Sequence, residues 1–181
     1  MRNSLFVRPR TPDSRFRSAD ARMIARMMFA VVDFAARKGL AEAANAASSS
    51  EDSPKQRARR TGVRGETYAY WYLRRHGYVV VARNFTSPSI KGEIDLVGYD
   101  GKVLAFVEVK TRVVGERDLP SPEVAITADK RHFLVRMARQ FLRARRAESA
   151  PYRFDVLAIE SRSGTPPAVR LHKGAFTPDA K

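Results

Sequence analysis

The sequence predicts an α/β (α+β) domain, a mixed four-stranded sheet flanked by helices. Three observations carry that expectation. A helix-like run precedes β-rich sequence after about Thr61, apolar residues alternate on both sides of Asp100-Gly101, and a long amphipathic stripe leads into a last apolar strand. The implied order is helix, three strands, helix, strand.

Each element has a local reason. Gly65 to His76 lacks internal Gly and Pro, sets Ala69, Tyr72 and Leu73 on one side, and stops at Gly77 as a helix with a C-terminal glycine does. Tyr78 to Phe85, with Val79, Val80 and Val81, reads as a strand. Asp100-Gly101 is a two-residue turn signal, so the chain from Gly92 to Arg112 reads as a β-hairpin. Residues 112–126 contain Gly115, Pro120 and Pro122 and are expected as a long loop beside the hairpin's end. Thr127 can cap a helix to about Ala147, whose stripe is Phe133, Leu134, Met137, Ala138, Phe141 and Leu142. Tyr152 to Ile159 supplies the final strand.

Ahead of this domain, residues 1–17 are polar and expected to be disordered, 18–47 form a helix without an obvious partner, and 48–60 read as a linker. The folded domain is expected over 61–162, with 163–181 a C-terminal extension. The apolar run from Met27 to Ala36 is too short for a bilayer and is broken by Asp33, so a spanning segment or secretory signal is not expected. An alternative is that translation begins at Met23, Met27 or Met28.

The chain has 181 residues, 44% of them hydrophobic, enough for one domain with a core. It has no cysteine, which excludes disulfide frameworks, thiolate zinc sites and cysteine nucleophiles, and a cytoplasmic location is expected. The net charge is +15, of which +7 falls in 1–60 and +8 in 61–181. A polyanion is therefore the expected partner of the domain and not of a tail alone.

The hairpin carries the chemistry. With Asp100-Gly101 as the turn, Val97 faces Leu104, Asp95 faces Phe106 and Glu93 faces Glu108. Glu93, Asp95, Glu108 and Lys110 then share one face, while Ile94, Leu96, Val103, Ala105, Val107 and Val109 share the other. Gathered carboxylates repel unless a cation joins them, and all-oxygen ligands suit Mg²⁺ or Mn²⁺. Lys110, two residues beyond Glu108, lies on the same strand face. The competing reading is an exposed strand end with solvated charges and an ion pair.

The GEIDLV and FVEVKTR segments, an upstream Gly65-Glu66 opening a helix, Asn84 in RNF and a late RFDVLAI resemble the YraN family of predicted endonucleases. That family is similar to Holliday-junction resolvases within the PD-(D/E)xK nuclease superfamily. The resemblance spans about Gly62 to Ile159 and implies a restriction-endonuclease-like αβββαβ core, the order reached above from the residues. By motif position it implies catalytic roles for Glu66, Asp95, Glu108 and Lys110. It also implies a Mg²⁺ (or Mn²⁺) site made of Asp95, Glu108, the Val109 carbonyl and Glu66, direct or through water. Ile94 stands where the superfamily name has proline. The first-turn position expected for Glu66 also suits a helix-dipole role.

Nucleic-acid contacts are expected from Arg112, Arg117, Lys130, Arg131, Arg136, Arg139 and Arg143, with DNA, branched or linear, as partner and RNA not excluded. A homodimer is an expectation by analogy with junction resolvases. His76, His132 and His172 are scattered, and phosphate-loop, dinucleotide and serine-elbow motifs are absent from the sequence. Two rival readings are a non-catalytic nucleic-acid-binding protein retaining the fold and a factor attached to anionic membranes through 18–47, the latter disfavoured.

Overall fold

Alternating apolar residues between Tyr78 and Val113 build an antiparallel meander of β1 (Val79–Ser87), β2 (Ile90–Asp100) and β3 (Val103–Val113). The computed structural model describes residues 19–45, 54–113, 126–161 and 165–178. Around the meander stand helices α1 (Ala19–Asn45), α2 (Pro54–Arg75) and α3 (Ala128–Ala144) and strands β4 (Tyr152–Ser161) and β5 (Ala168–Phe176). The sheet order is β1-β2-β3-β4-β5. Only β3 and β4 run parallel, and α3 is the crossover that this pairing requires.

The two faces of the sheet bury different helices. Val97, Leu104, Phe106 and Phe154 pack under Leu134, Met137, Ala138 and Phe141 of α3. Leu96, Ala105, Val107 and Leu157 pack under Tyr68, Ala69 and Leu73 of α2. Fully buried side chains of this size each contribute on the order of 2–3 kcal/mol, so both helices are held to the sheet mainly by apolar burial. The helix without an obvious partner has one: Phe29 of α1 meets Tyr68 and Tyr72 at ring distances of 5.2 and 6.1 Å, and the Tyr68 hydroxyl donates to Asp33 Oδ1 at 2.8 Å. No described helix is long and apolar enough to cross a membrane.

Several element expectations are met. Gly77, at φ 89°, lets the Gly77 and Tyr78 N–H groups return to Arg74 and Leu73 carbonyls and close α2. Thr127 caps α3 through its hydroxyl to the Lys130 N–H at 3.3 Å.

Others are corrected. The second helix starts at Pro54, so 54–60, expected as linker, are helical; Pro is well placed at a first helical position, where its missing N–H costs nothing. Gly65 and Glu66 consequently lie inside α2 instead of opening it. The sheet has five strands, because the expected C-terminal extension contributes β5 antiparallel to β4. The third helix ends at Ala144, short of Ala147.

The hairpin register is shifted by two residues. Asp100 pairs with Val103, Val97 with Phe106 and Leu96 with Val107, so Gly101-Lys102 is the turn. Gly101 alone takes positive φ (65°), as a turn with one left-handed central residue needs. Asp100 is kept in the strand by Arg153 and Lys173, each 2.7 Å from its Oδ2. A two-residue shift preserves which face each residue occupies. Ile94 departs from the expected pattern and joins the α3-side cluster with Val97 and Phe106.

The proposed tail 1–17, residues 48–53 of the linker, the 114–125 part of the long loop, including Arg117, and the last residues from 179 lie outside the described residues.

Candidate active site

The ladder between β2 and β3 is paired as far as Leu96 and Val107. Continuing that register brings Asp95 level with Glu108, closer than the expected Glu93–Glu108 opposition. There the Asp95 side chain takes over from the backbone: its Oδ2 accepts the Val109 N–H at 2.6 Å. Glu93, by contrast, pairs outward with Thr86 of β1 and is exposed.

Glu108 is buried, its side chain 4% exposed. A carboxylate at that depth needs counter-charge, and two lysines provide it: Lys110 Nζ stands 2.9 Å from Oε1 and Lys130 Nζ 3.0 Å from Oε2. The second approach lacks hydrogen-bond geometry, since Oε2 accepts no hydrogen bond. Lys130 therefore acts there through charge alone. Burial, then the neighbouring Glu108 carboxylate, pushes Asp95 up to about 7, while the Val109 N–H and Lys130 pull it down and Glu66 adds a further upward push.

Glu66 approaches from inside α2. Its Oε2 accepts from Asn84 Nδ2 at 2.8 Å, and Asn84 itself sits at φ 48°, a conformation Asn tolerates better than most residues. What brings this part of α2 close to β3 is Gly65: a Cβ built there would lie 1.9 Å from Thr111 Oγ1. A second glycine shapes the other wall. Gly92, at φ 119°, leaves room for the Phe133 ring, whose Cζ and Cε2 lie 2.7 and 2.8 Å from a hypothetical Cβ, and Lys130 Nζ sits 5.1 Å from that ring's centre.

The structure thus brings Asp95, Glu108, Lys110 and Lys130 together, with Glu66 in electrostatic range. Lys130, expected only as a nucleic-acid contact, is a member of the cluster; its position three residues after the Thr127 cap was legible, but nothing in the sequence tied it to Glu108. Arg112 Nη2 is committed to Glu160 at 2.6 Å, an acid shared with Arg170. Arg131 donates from Nε to the Ile126 carbonyl. Arg136, Arg139 and Arg143 line the exposed side of α3, opposite its buried stripe.

Two adjacent oxygen-bearing acids form a donor set that suits a hard divalent cation. Among the described residues, no three His, Cys, Asp or Glu side chains gather as a metal-binding group. The fit consequently rests on the Asp95–Glu108 pair and adjoining backbone oxygen.

A helix, a three-stranded meander, a crossover helix and a parallel fourth strand, with an acid on β2 beside a Glu-x-Lys on β3, define an α+β protein of restriction-endonuclease-like element order. Within that class the sequence comparison is specific. The chain belongs to the uncharacterised protein family UPF0102, the YraN family, whose model matches residues 65–159. It is 44% identical over 117 residues to a UPF0102 protein of Koribacter versatilis, covering 65% of this chain and 79% of the relative. A UPF0102 protein of Symbiobacterium thermophilum is 42% identical over 119 residues, 66% of this chain and 98% of its own length. One from Solibacter usitatus is 42% identical over 112 residues, 62% and 82% respectively. Glu66, Asp95, Glu108, Lys110 and Lys130 all fall inside the matched span.

Proposed function

We propose that this chain is a metal-dependent nuclease hydrolysing phosphodiester bonds in DNA, with branched or junction DNA the first substrate to test. The observation that carries the reading is the side-by-side placement of Asp95 and Glu108, the first fixed by the Val109 N–H and the second buried against Lys110. Burial of acids that repel one another opposes folding, and sites are where proteins tolerate that cost. A Mg²⁺ or Mn²⁺ ion held by Asp95, Glu108 and the Val109 carbonyl, with Glu66 directly or through water, would supply an activated water and electrostatic stabilisation of the phosphate.

The chain's own residues do the rest. Lys110 steadies Glu108 and presents an ammonium where charge develops on the phosphate. Asn84 fixes the Glu66 carboxylate. Arg136, Arg139 and Arg143 offer backbone contacts, which read charge and not sequence and weaken steeply with salt.

The test is Mg²⁺- or Mn²⁺-dependent cleavage of four-way-junction and linear DNA by wild type, Asp95→Ala, Glu108→Ala and Lys110→Ala. Each variant is expected to lose roughly 100-fold or more in rate. Cleavage that survives all three substitutions rejects the reading. The engagement of both Glu108 oxygens by lysines favours a second reading, a non-catalytic nucleic-acid-binding protein in which the cluster is a structural ion network. Salt-sensitive DNA binding without cleavage of any substrate would select it.

A further inference from the structure

We propose that Lys130 is a resident counter-ion that a divalent cation must displace, and that its release hands an ammonium to the phosphate backbone. The inference rests on the metal-site reading above and adds a cation exchange to it. As the site stands, Glu108 lies between two ammonium groups, Lys110 and Lys130, with Asp95 beside it and Glu66 in electrostatic range. A dication approaching Glu108 Oε2 would meet the Lys130 ammonium, 3.0 Å from that oxygen, unless the lysine left.

The two lysines are not equivalent. Lys110 shares the β3 strand with Glu108, so it is held in register beside Oε1 whatever the rest of the site does. Lys130 comes from the first turn of α3, a separate element, and reaches Oε2 without hydrogen-bond geometry, although its side chain is no more exposed than that of Lys110, at 32% in both. Its Nζ also sits 5.1 Å from the centre of the Phe133 ring. Lys130 is the partner that can leave at least cost, and on leaving it points its charge toward solvent beside the acids, where a substrate phosphate would lie.

This exchange makes cation binding and polyanion binding reinforce each other, because each favours the released lysine. Mn²⁺ binding is measured by calorimetry on the full chain without nucleic acid, for wild type, Lys130→Met and Glu108→Gln. Lys130→Met is expected to bind Mn²⁺ roughly tenfold tighter than wild type, the order of one partly buried charge interaction. Glu108→Gln is expected to lose binding. In thermal melts, Mn²⁺ should raise the midpoint of Lys130→Met more than that of wild type, a readout independent of how stable the variant is without metal. Equal or weaker Mn²⁺ binding by Lys130→Met, with Glu108→Gln still impaired, overturns the exchange while leaving the metal site intact. Absence of Mn²⁺ binding in wild type and Lys130→Met alike removes the metal site and the exchange together.

Discussion

Replacing Gly65 by alanine should destabilise the protein, although an alanine inside a helix ordinarily stabilises it. Gly costs a helix about 1 kcal/mol relative to Ala, so propensity alone favours the substitution by that amount. Against it stands the fit between α2 and β3. The added Cβ would lie 1.9 Å from Thr111 Oγ1, 2.9 Å from Thr111 Cβ and 3.2 Å from Cγ2. Turning Thr111 to another rotamer moves the hydroxyl away but not its Cβ, which belongs to the strand, so α2 itself must retreat. Overpacking of that kind costs roughly 1–3 kcal/mol and occasionally more. Because the clash reaches the strand-anchored Thr111 Cβ, the upper half of that range applies, and after the propensity gain the net expectation is a loss of about 1–2 kcal/mol, which for a chain of this size lowers the melting midpoint by roughly 2–8 °C. Urea denaturation with an unchanged m-value would measure it. Thr111→Ala should recover part of the loss in the double variant, giving a coupling energy absent from distant pairs. A Gly65→Ala protein more stable than wild type, or a double variant whose effects simply add, would refute the claim that Gly65 sets the distance between Glu66 and the strand.

Two further substitutions probe the opposite wall and the charge of the site. Gly92→Ala places a side chain at φ 119° against the Phe133 ring; it should lower the unfolding free energy by about 1–3 kcal/mol, measured by urea denaturation, and Phe133→Ala should not rescue it fully because the backbone strain remains. Asp95 is held up near 7 by burial and Glu108, above its unfolded value of about 4. The folded state then binds more protons across that window, so the Asp95 contribution to stability falls as pH rises from about 4 to about 7. Metal-free Asp95→Asn, which keeps an oxygen for the Val109 N–H, should gain on wild type through that range and hold the advantage at pH 8. A wild-type stability that instead climbs more steeply than the variant's from pH 4 to 7 would contradict the assignment.

Much of the fold was legible because face and period are encoded residue by residue. The odd residues of β2 and even residues of β3 were placed on the correct face even though the turn was set one residue early, since the resulting register shift of two leaves parity unchanged. What the alternation could not reveal was the pull of Arg153 and Lys173 on Asp100, partners from β4 and β5 that keep Asp100 in its strand. The beginning of α2 was hidden because PKQRARR has a linker's polarity, its helical state being settled by continuity with the buried stripe beyond Gly65. Strand β5 was missed because LHKGAF interrupts alternation with a glycine at φ 63°. In the site, Asp95, Glu108 and Lys110 could be grouped from one hairpin. Lys130 could not, because its meeting with Glu108 depends on the long crossover that lays α3 across the sheet.

The left-handed Asn84 has a consequence beyond its grip on Glu66. It sits in β1, a border strand of the sheet, which is already irregular between Val80 and Ala82 and again between Thr86 and Ser87. A border so interrupted cannot offer the uninterrupted row of amide and carbonyl groups that another chain would need to dock as an added strand. The residue that holds the Glu66 carboxylate thereby also leaves this margin of the sheet a poor template for strand addition.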